Sequence, residues 1–337
     1  MRGAIIILPI FHKNMNVLEV KNLTKKFGRF TAVDDISFSL KEGEILGLLG
    51  ANGAGKTTTI QMLLGVLNPT GGQVMYFGKD LGKHREEILE EVNFSSTYTN
   101  MPWELTVREN LAWASYLYKI KDRKKRIEEM IDIFRLRKLV KDKTTGLSSG
   151  QITRLNLAKA FINYPRVLLL DEPTASLDPD VASYIRKFLL KEKTKFQVSI
   201  IFTSHNMAEV EEMCDRVIFI NEGKIIADDT PINLAKTMKT SHVRLLVGRG
   251  TDKLKKYCEA KNMKCKLNGK ALTVDMDEKE IPFFLREIMD QGVLYDEISI
   301  DKPTLNDYFL QIIKPRKDTD AKKTKEKSSI LRILRKN

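Results

Sequence analysis

The 337-residue sequence has only three cysteines and four histidines, and it has no long hydrophobic run. Its three cysteines, Cys214, Cys258 and Cys265, are scattered and form no C-x-x-C pair. Such a set argues against a disulfide framework or a zinc site and fits a reducing compartment. The apolar run at residues 4–11 is far shorter than the roughly 20 residues of a membrane-spanning helix. We therefore expect no membrane-crossing segment and, without a small-residue cleavage site, no signal peptide.

Acidic residues are also fewer than basic ones. The chain has 57 Lys and Arg and 44 Asp and Glu, which gives a formal net charge of +13. The excess is concentrated at the end of the chain, where Lys314 to Asn337 holds ten basic and three acidic residues, a net of +7. A charge confined to one tail does not indicate specific nucleic-acid binding. The simplest interpretation is a disordered solubilising tail, and contact with an anionic membrane surface or with ribosomal RNA remains an alternative.

A glycine-rich loop lies between a buried-strand pattern at residues 45–49 and a helical pattern. Gly50, Gly55, Lys56 and Thr57 satisfy the G-x-x-x-x-G-K-[ST] phosphate-loop pattern. Backbone N–H groups of such a loop cradle the phosphates, Lys56 reaches the β- and γ-phosphates, and the Thr57 hydroxyl ligates Mg²⁺. The predicted ATP contacts of this loop are Gly50, Asn52, Gly53, Ala54, Gly55, Lys56, Thr57 and Thr58.

Two adjacent carboxylates follow a second buried-strand pattern in "RVLLLDEPTASLDPD". Four apolar residues, from Val167 to Leu170, precede Asp171 and Glu172. A carboxylate at a strand end beside a phosphate loop holds Mg²⁺ through water, which predicts this role for Asp171. Glu172 is then placed to polarise the attacking water as general base.

Between these motifs, "GLSSGQITRLNLAKAF" reads as a turn that opens a helix at about Ser148. Taken alone, this pattern indicates an N-capped helix and nothing more. Together, the three motifs resemble the ATP-binding cassette of the ABC superfamily over residues 16–235, with the glycine-rich loop as Walker A and "LLLDEP" as Walker B. "LSSGQ" is similar to the LSGGQ signature, with a serine in place of one glycine. The signature residues that the resemblance implies as ATP contacts are Ser148, Ser149, Gly150 and Gln151.

Three further residues take their roles from the resemblance alone. Phe27 stands where the family stacks an aromatic ring on adenine. Asp178 belongs to "SLDP", which matches the D-loop, and is expected to contact nucleotide. His205, in "IFTSHNMAEV", matches the switch histidine and is expected to sense the γ-phosphate as a catalytic residue.

The resemblance implies an ATPase that works as a pair, because each nucleotide lies between one cassette's Walker A and the other cassette's signature. The chain holds one copy of each motif, so we expect a second cassette, in a homodimer, with ATP and Mg²⁺ as cofactors. We expect separate transmembrane permease subunits and a peripheral location on the cytoplasmic face of the membrane. The alternative is a soluble ABC ATPase acting on nucleic acid or ribosomes. It is disfavoured by the single cassette and by the lack of a coiled-coil insertion between Lys56 and Asp171.

One motif departs from the family pattern. After a predicted strand at residues 91–94, the chain continues with Ser95, Ser96 and Thr97. Counting back from "ELTVREN", the family's Mg²⁺- and water-contacting glutamine falls on Thr97, which we expect to make a water-bridged metal contact. The loop beyond it supplies candidate docking contacts for a membrane partner, namely Tyr98, Met101 and Trp103.

The pattern after Thr240 predicts strand, helix, a hairpin about Asn268-Gly269, helix, strand and a last helix over "PTLNDYFLQII". The order βαββαβα predicts a small split-βαβ, ferredoxin-like accessory domain. A cassette followed by such a domain is similar to ABC-2 type exporter ATPases, a group that includes drug-resistance, lipid, polysaccharide and sodium exporters. A role in dimer contacts or regulation is the simplest expectation for this domain.

The predicted fold is therefore α/β: a P-loop ABC ATPase cassette with a RecA-like core, an antiparallel β subdomain and a helical subdomain. An α+β accessory domain and a basic tail follow. The predicted boundaries are an extension at 1–15, the cassette at 16–237 with its helical subdomain at about 83–165, the accessory domain at 240–313 and the tail at 314–337.

Overall fold

The computed structural model describes residues 15–96, 102–238, 240–261, 263 and 265–313. The predictions for residues 1–14, for Thr97, Tyr98 and Met101, and for the tail at 314–337 lie outside the described residues. The chain divides into two compact units, with the division between Asn233 and Leu234. No helix within the described ranges is long and apolar enough to cross a membrane.

The first unit contains an antiparallel sheet with the strand order β2-β1-β4-β5 in its described part. Its strands are β1 (Asn16–Phe27), β2 (Phe30–Lys41), β4 (Gly71–Tyr76) and β5 (Lys79–Asp80). Strands β1 and β2 alternate between buried and exposed side chains, as expected for a sheet with one solvated face.

A second sheet in the same unit has the order β10-β9-β3-β8-β7-β6 among the described strands. Its strands are β3 (Ile45–Leu49), β6 (Val92–Ser96), β7 (Val167–Asp171), β8 (Ser199–Thr203), β9 (Arg216–Asn221) and β10 (Lys224–Asp229). All pairings are parallel except that of the edge strand β10. The central strands β3 and β8 are buried along their whole length, which is typical of a parallel sheet covered on both faces. The two sheets confirm the predicted mixed α/β cassette core.

Strand β6 is longer than the sequence pattern predicted, because it includes Ser95 and Ser96. Their register partners are Leu170 and Asp171 of β7. Both serine side chains are buried, so the hydroxyls continue the strand and do not interrupt it.

The described part of the first unit also contains α-helices. They are α1 (Lys56–Leu63), α2 (Arg85–Leu89), α3 (Val107–Tyr116), α4 (Arg123–Ile133), α5 (Ser149–Ala160), α6 (Pro179–Phe196) and α7 (Met207–Met213). The sequence "KDRKKRIEEMIDIFRLRKLV" predicts a basic amphipathic helix here, with Ile127, Met130, Ile131 and Phe134 in the core and its lysines in solvent. All four apolar residues are buried in or directly after α4. The rings of Phe134, Phe161 and Phe188 pack against one another, with centroids 5.1–5.9 Å apart, and this cluster joins α4, α5 and α6.

From Leu234 onward, the strands and helices follow one another in the order that the sequence pattern indicates. After α8 (Pro231–Lys236), which spans the division, its elements are β11 (Thr240–Arg249), α9 (Thr251–Ala260), β12 (Cys265–Asn268), β13 (Ala271–Asp277), α10 (Ile281–Asp290), β14 (Leu294–Asp301) and α11 (Leu305–Ile313). The described strands form one antiparallel sheet in the order β12-β13-β11-β14. Its core side carries Val243, Leu245 and Val247, which are fully buried in one cluster with residues of α9 and α10.

Candidate nucleotide-binding and hydrolysis site

A cavity of about 350 Å³ lies at the carboxyl ends of β3, β7 and β8. In open α/β sheets, ligands bind in the crevice outside these strand ends. The cavity brings together residues from the phosphate loop, the carboxylate pair and the region after β8. Its lining consists of Phe30, Ala32, Asn52, Gly53, Gly55, Lys56, Thr57, Thr58, Asp171, Glu172 and His205. Residues from three separate motifs thus share one site.

The phosphate loop has its shape because its glycines let neighbouring backbone segments come close to it. A Cβ on Gly50 would lie 2.1 Å from the Ile220 carbonyl oxygen, and a Cβ on Gly55 would lie 2.5 Å from that of Ala32. Gly55 also has a φ of 107°, which only glycine adopts without strain. Helix α1 begins directly after it, so the unpaired N–H groups of its first turn border the cavity. Such a helix N-terminus favours phosphate.

Lys56 provides the cation of this site. Its Nζ donates to the carbonyl oxygens of Gly50 at 2.7 Å and Ala51 at 3.1 Å, so the side chain folds across its own loop. Burial lowers the pKa of Lys56, and the negative charges of Glu172 and Asp171 oppose that shift. The ammonium group is therefore fixed on its own loop, within electrostatic range of the two carboxylates.

The two predicted catalytic residues contact each other. His205 Nε2 lies 3.2 Å from Glu172 Oε1, and the His205 backbone N–H donates to Glu172 Oε2 at 3.3 Å. Burial raises the pKa of Glu172. The nearby His205 acts in the opposite direction but does not cancel the effect of burial, so the pKa stays raised. Glu172 has a φ of 54°, a left-handed conformation that costs a non-glycine residue energy and is concentrated at functional sites. The carboxylate is thereby aimed into the cavity beside an exposed imidazole.

The aromatic residue in the cavity lining is Phe30, whereas Phe27 was the residue predicted to stack on adenine. Phe27 and Phe30 are register partners at the ends of β1 and β2. Both rings are exposed, and Lys25 Nζ lies 5.2 Å from the Phe27 ring centroid. Sequence alone does not say which of these two aromatics lies toward the loop, because that depends on the cross-strand register.

The signature segment forms the N-terminus of α5, as its capping pattern predicted. The Ser148 side chain accepts from the Gln151 N–H at 3.4 Å, and the Gln151 Oε1 accepts from the Ser148 N–H at 2.9 Å. Ser148 and Ser149 are exposed, and a Cβ on Gly150 would lie 2.9 Å from the Ser176 carbonyl oxygen. Asp178 is the N-cap residue of α6 and its side chain makes no capping hydrogen bond. Neither the signature nor Asp178 is among the residues that line the phosphate cavity of the same chain.

The oxygen donors of the cavity fit Mg²⁺ bound together with phosphates. The Thr57 hydroxyl and the Asp171 carboxylate line the same cavity, and Mg²⁺ prefers such hard oxygen ligands. The described residues contain no group of three His, Cys, Asp or Glu that could hold a metal alone. One or two protein oxygens with substrate phosphates are the usual environment of Mg²⁺ at nucleotide sites.

Comparisons with known proteins agree with this geometry. The family model described as ABC transporter matches residues 33–175. The bacitracin transport ATP-binding protein BcrA of Bacillus licheniformis is 36% identical over 212 residues, covering 63% of this chain and 69% of that protein. The uncharacterized ABC transporter ATP-binding protein YhcH of Bacillus subtilis is 30% identical over 305 residues, covering 88% and 95%. The Nod factor export ATP-binding protein I of Neorhizobium galegae is 32% identical over 305 residues, covering 88% and 84%.

A solved structure is similar to part of the chain. The dimeric structure of MJ0796, a bacterial ABC transporter cassette, has a TM-score of 0.58 and 25% identity. The likeness covers 63% of this chain and 98% of that one.

Proposed function

The chain belongs to the ABC transporter family of ATP-binding proteins and is an ATPase, and from this premise we propose that it is the ATP-hydrolysing subunit of an ABC-2 type membrane exporter. Relatives whose names state bacitracin transport and Nod factor export support a transport role. Matches of 305 residues cover 88% of the chain, so they extend past Asn233 into the second unit. The proposed location is the cytoplasmic face of the membrane, through separate permease subunits.

The observation that carries the pairing of two cassettes in this proposal is the separation of the signature from the phosphate cavity within one chain. In a head-to-tail pair, the N-terminus of α5 from a second copy would complete each cavity and meet the γ-phosphate with its free N–H groups. ATP then bridges the two copies, and hydrolysis removes the bridge. Binding closes the pair and cleavage reopens it, which is an order-and-release switch.

Within each site, the roles follow from the contacts. Glu172 accepts the proton of the attacking water, and its raised pKa makes it a stronger proton acceptor. His205 holds the Glu172 carboxylate through its backbone N–H and its ring. Mg²⁺ would be held by Thr57 and Asp171 and would neutralise charge that develops on the phosphates.

The pairing is tested with Glu172→Gln, which keeps the shape of the side chain and removes its basicity. We expect the variant to bind ATP, to form a stable dimer in light scattering with MgATP, and to lose turnover. His205→Gln serves as a comparison, because it leaves the base in place. Unchanged hydrolysis by Glu172→Gln would remove the assigned base.

The exporter role is tested with a membrane protein encoded beside this chain, reconstituted with it in lipid vesicles. We expect that partner to stimulate ATP hydrolysis. Stimulation by ribosomes or nucleic acid and not by the membrane protein would support the soluble alternative.

We also propose that the second unit is the ferredoxin-like accessory domain, with a role in dimer contacts or regulation. Its strand order, β12-β13-β11-β14 with two helices in the same core, supports the assignment. The net charge of +7 between Lys314 and Asn337 supports contact of the tail with anionic lipid. Deletion of residues 314–337 should then reduce salt-sensitive binding to vesicles containing phosphatidylserine, and unchanged binding would exclude that contact.

A further inference from the structure

A row of three polar residues crosses the carboxyl end of the parallel sheet. Ser96 is the register partner of Asp171, and Asp171 is the register partner of Thr203. Side chains in register on neighbouring strands lie on the same face of a sheet. The Asp171 carboxylate therefore has a hydroxyl-bearing residue on each side.

Each oxygen of the Asp171 carboxylate accepts a hydrogen bond from one of these hydroxyls. Thr203 Oγ1 donates to Asp171 Oδ1 at 2.7 Å, and Ser96 Oγ donates to Asp171 Oδ2 at 3.4 Å. Thr203 is 1% exposed and Ser96 is 6% exposed, so bulk water cannot easily replace either donor. Hydrogen bonds to a carboxylate are shorter and stronger than those between neutral groups, and the Thr203 contact has the length expected of one.

Thr203 is also tied to the second carboxylate-bearing residue. The Glu172 backbone N–H donates to Thr203 Oγ1 at 3.1 Å and lies 3.3 Å from the Thr203 carbonyl oxygen. One hydroxyl thus accepts from Glu172 and donates to Asp171, which fixes the direction of its single proton. The accepted N–H belongs to the residue with the left-handed φ of 54°, so Thr203 holds the strained turn that aims Glu172.

The backbone of Ser96 is held from another direction. Asn156 of α5 is 1% exposed, and its Nδ2 donates to the Ser96 carbonyl oxygen at 3.4 Å. The end of β6 is therefore fixed between the helix that begins with the signature and the strand that carries Asp171.

We propose that Thr203, assisted by Ser96, is a positioning residue that orients Asp171 toward the metal of MgATP and holds the turn that aims Glu172. The proposal rests on the metal and base roles proposed for Asp171 and Glu172. Neither hydroxyl touches the phosphates in this assignment, since both act through the carboxylates beside them.

The test compares Thr203→Val, which keeps the branched shape and removes the hydroxyl, with Thr203→Ser, which keeps it. Loss of a hydrogen bond to a charged group predicts a roughly ten- to hundredfold lower kcat for Thr203→Val. KM should change less than kcat. The free Mg²⁺ concentration that gives half-maximal ATP binding in calorimetry should rise, while ATP binding in EDTA stays as in the wild type. Thr203→Ser should restore both values.

Ser96→Ala is the second variant and remains informative if Thr203→Val folds poorly. Because the Ser96 hydrogen bond to Asp171 is longer, we expect smaller changes in the same directions. The kcat should fall, and the Mg²⁺ concentration for half-maximal ATP binding should rise, by about two- to tenfold. Ser95→Ala is the matched control, because Ser95 is buried in the same strand but lies on the opposite face from Ser96. We expect its Mg²⁺ dependence to match the wild type.

A Mg²⁺ dependence that is unchanged in both Thr203→Val and Ser96→Ala would overturn the proposal. Failure of Thr203→Ser to restore a defective Thr203→Val would do the same, because it would indicate loss of packing and not of the hydroxyl. Asp171→Asn separates this failure from failure of the proposed function. If Asp171→Asn also leaves the Mg²⁺ dependence unchanged, the metal role of Asp171 itself is wrong.

Discussion

Replacing Arg126 by methionine should destabilise the first unit, although Arg126 lies on a basic helix whose lysines the sequence pattern assigns to solvent. Arg126 is 8% exposed, and its guanidinium donates to the carbonyl oxygen of Phe161 and, at 3.2 Å, to that of Ile162. It also lies 3.6 Å from the ring centroid of Tyr164. These contacts fix the C-terminal end of α5, the helix that begins with the signature.

The expected loss of stability follows from the carbonyl oxygens that methionine leaves without their hydrogen-bond donor. A buried acceptor without a partner costs about 1–3 kcal/mol, and the Phe161 oxygen keeps one weak partner, the Tyr164 N–H at 3.4 Å. Loss of the cation–π contact adds about 1 kcal/mol. We therefore expect Arg126→Met to lower the free energy of unfolding by about 2–4 kcal/mol.

The assay is urea unfolding followed by tryptophan fluorescence and circular dichroism, with Lys124→Met as the control on the same helix. Lys124 is exposed, so its replacement should change the free energy of unfolding by less than about 0.5 kcal/mol. If Arg126→Met also stays within that limit, the reasoning from its buried carbonyl partners is refuted.

Three further predictions concern the phosphate loop and the second unit. Lys56→Ala should weaken ATP binding roughly ten- to hundredfold in calorimetry, and wild-type affinity would contradict its phosphate role. Gly55→Ala should abolish nucleotide binding, because its Cβ would lie 2.5 Å from the Ala32 carbonyl oxygen. Gly53→Ala carries the strain of a φ of 79° but meets nothing within 4 Å, so it should retain more binding. The hydrogen bond to Asp275, with help from Asp307, raises the pKa of His242. The stability this contributes is fully present below the unfolded-state pKa of about 6.5 and is lost as pH rises through the folded-state pKa. In thermal melts, His242→Gln should therefore destabilise the second unit at acidic pH and have little effect at alkaline pH, and an equal effect at both would argue against the ion pairs.

The parts of the candidate site that could be predicted from the sequence are those formed by residues close together in the chain. The phosphate loop and the Asp171–Glu172 pair are local patterns whose spacing already specifies strand, loop and helix. Sequence reasoning did not single out Thr203 or Phe30. The place of Thr203 beside Asp171 and of Phe30 in the cavity lining depends on which residue faces which across neighbouring strands, and register is not visible in either segment alone.

The helical region shows the same division between local and long-range information. The period of α4 identified Ile127, Met130 and Ile131 as core residues, and they are buried. It could not identify Arg126 as buried, because the partners of that cation lie about 35 residues further along the chain. The expectation for Thr97 lies outside the described residues and stays a prediction.

The central claim is that ATP is hydrolysed between two copies of this chain, and a mixing experiment tests it most directly. Lys56→Ala disables the phosphate loop, and Ser149→Glu places a negative charge at the start of α5. That charge favours the helix N-terminus and repels the γ-phosphate. Each variant alone should be inactive. Mixing them should restore ATP hydrolysis, because one of the two sites in a mixed pair has both an intact loop and an intact signature. A mixture as inactive as its components, although co-purification of differently tagged copies shows that mixed dimers form, would contradict the claim.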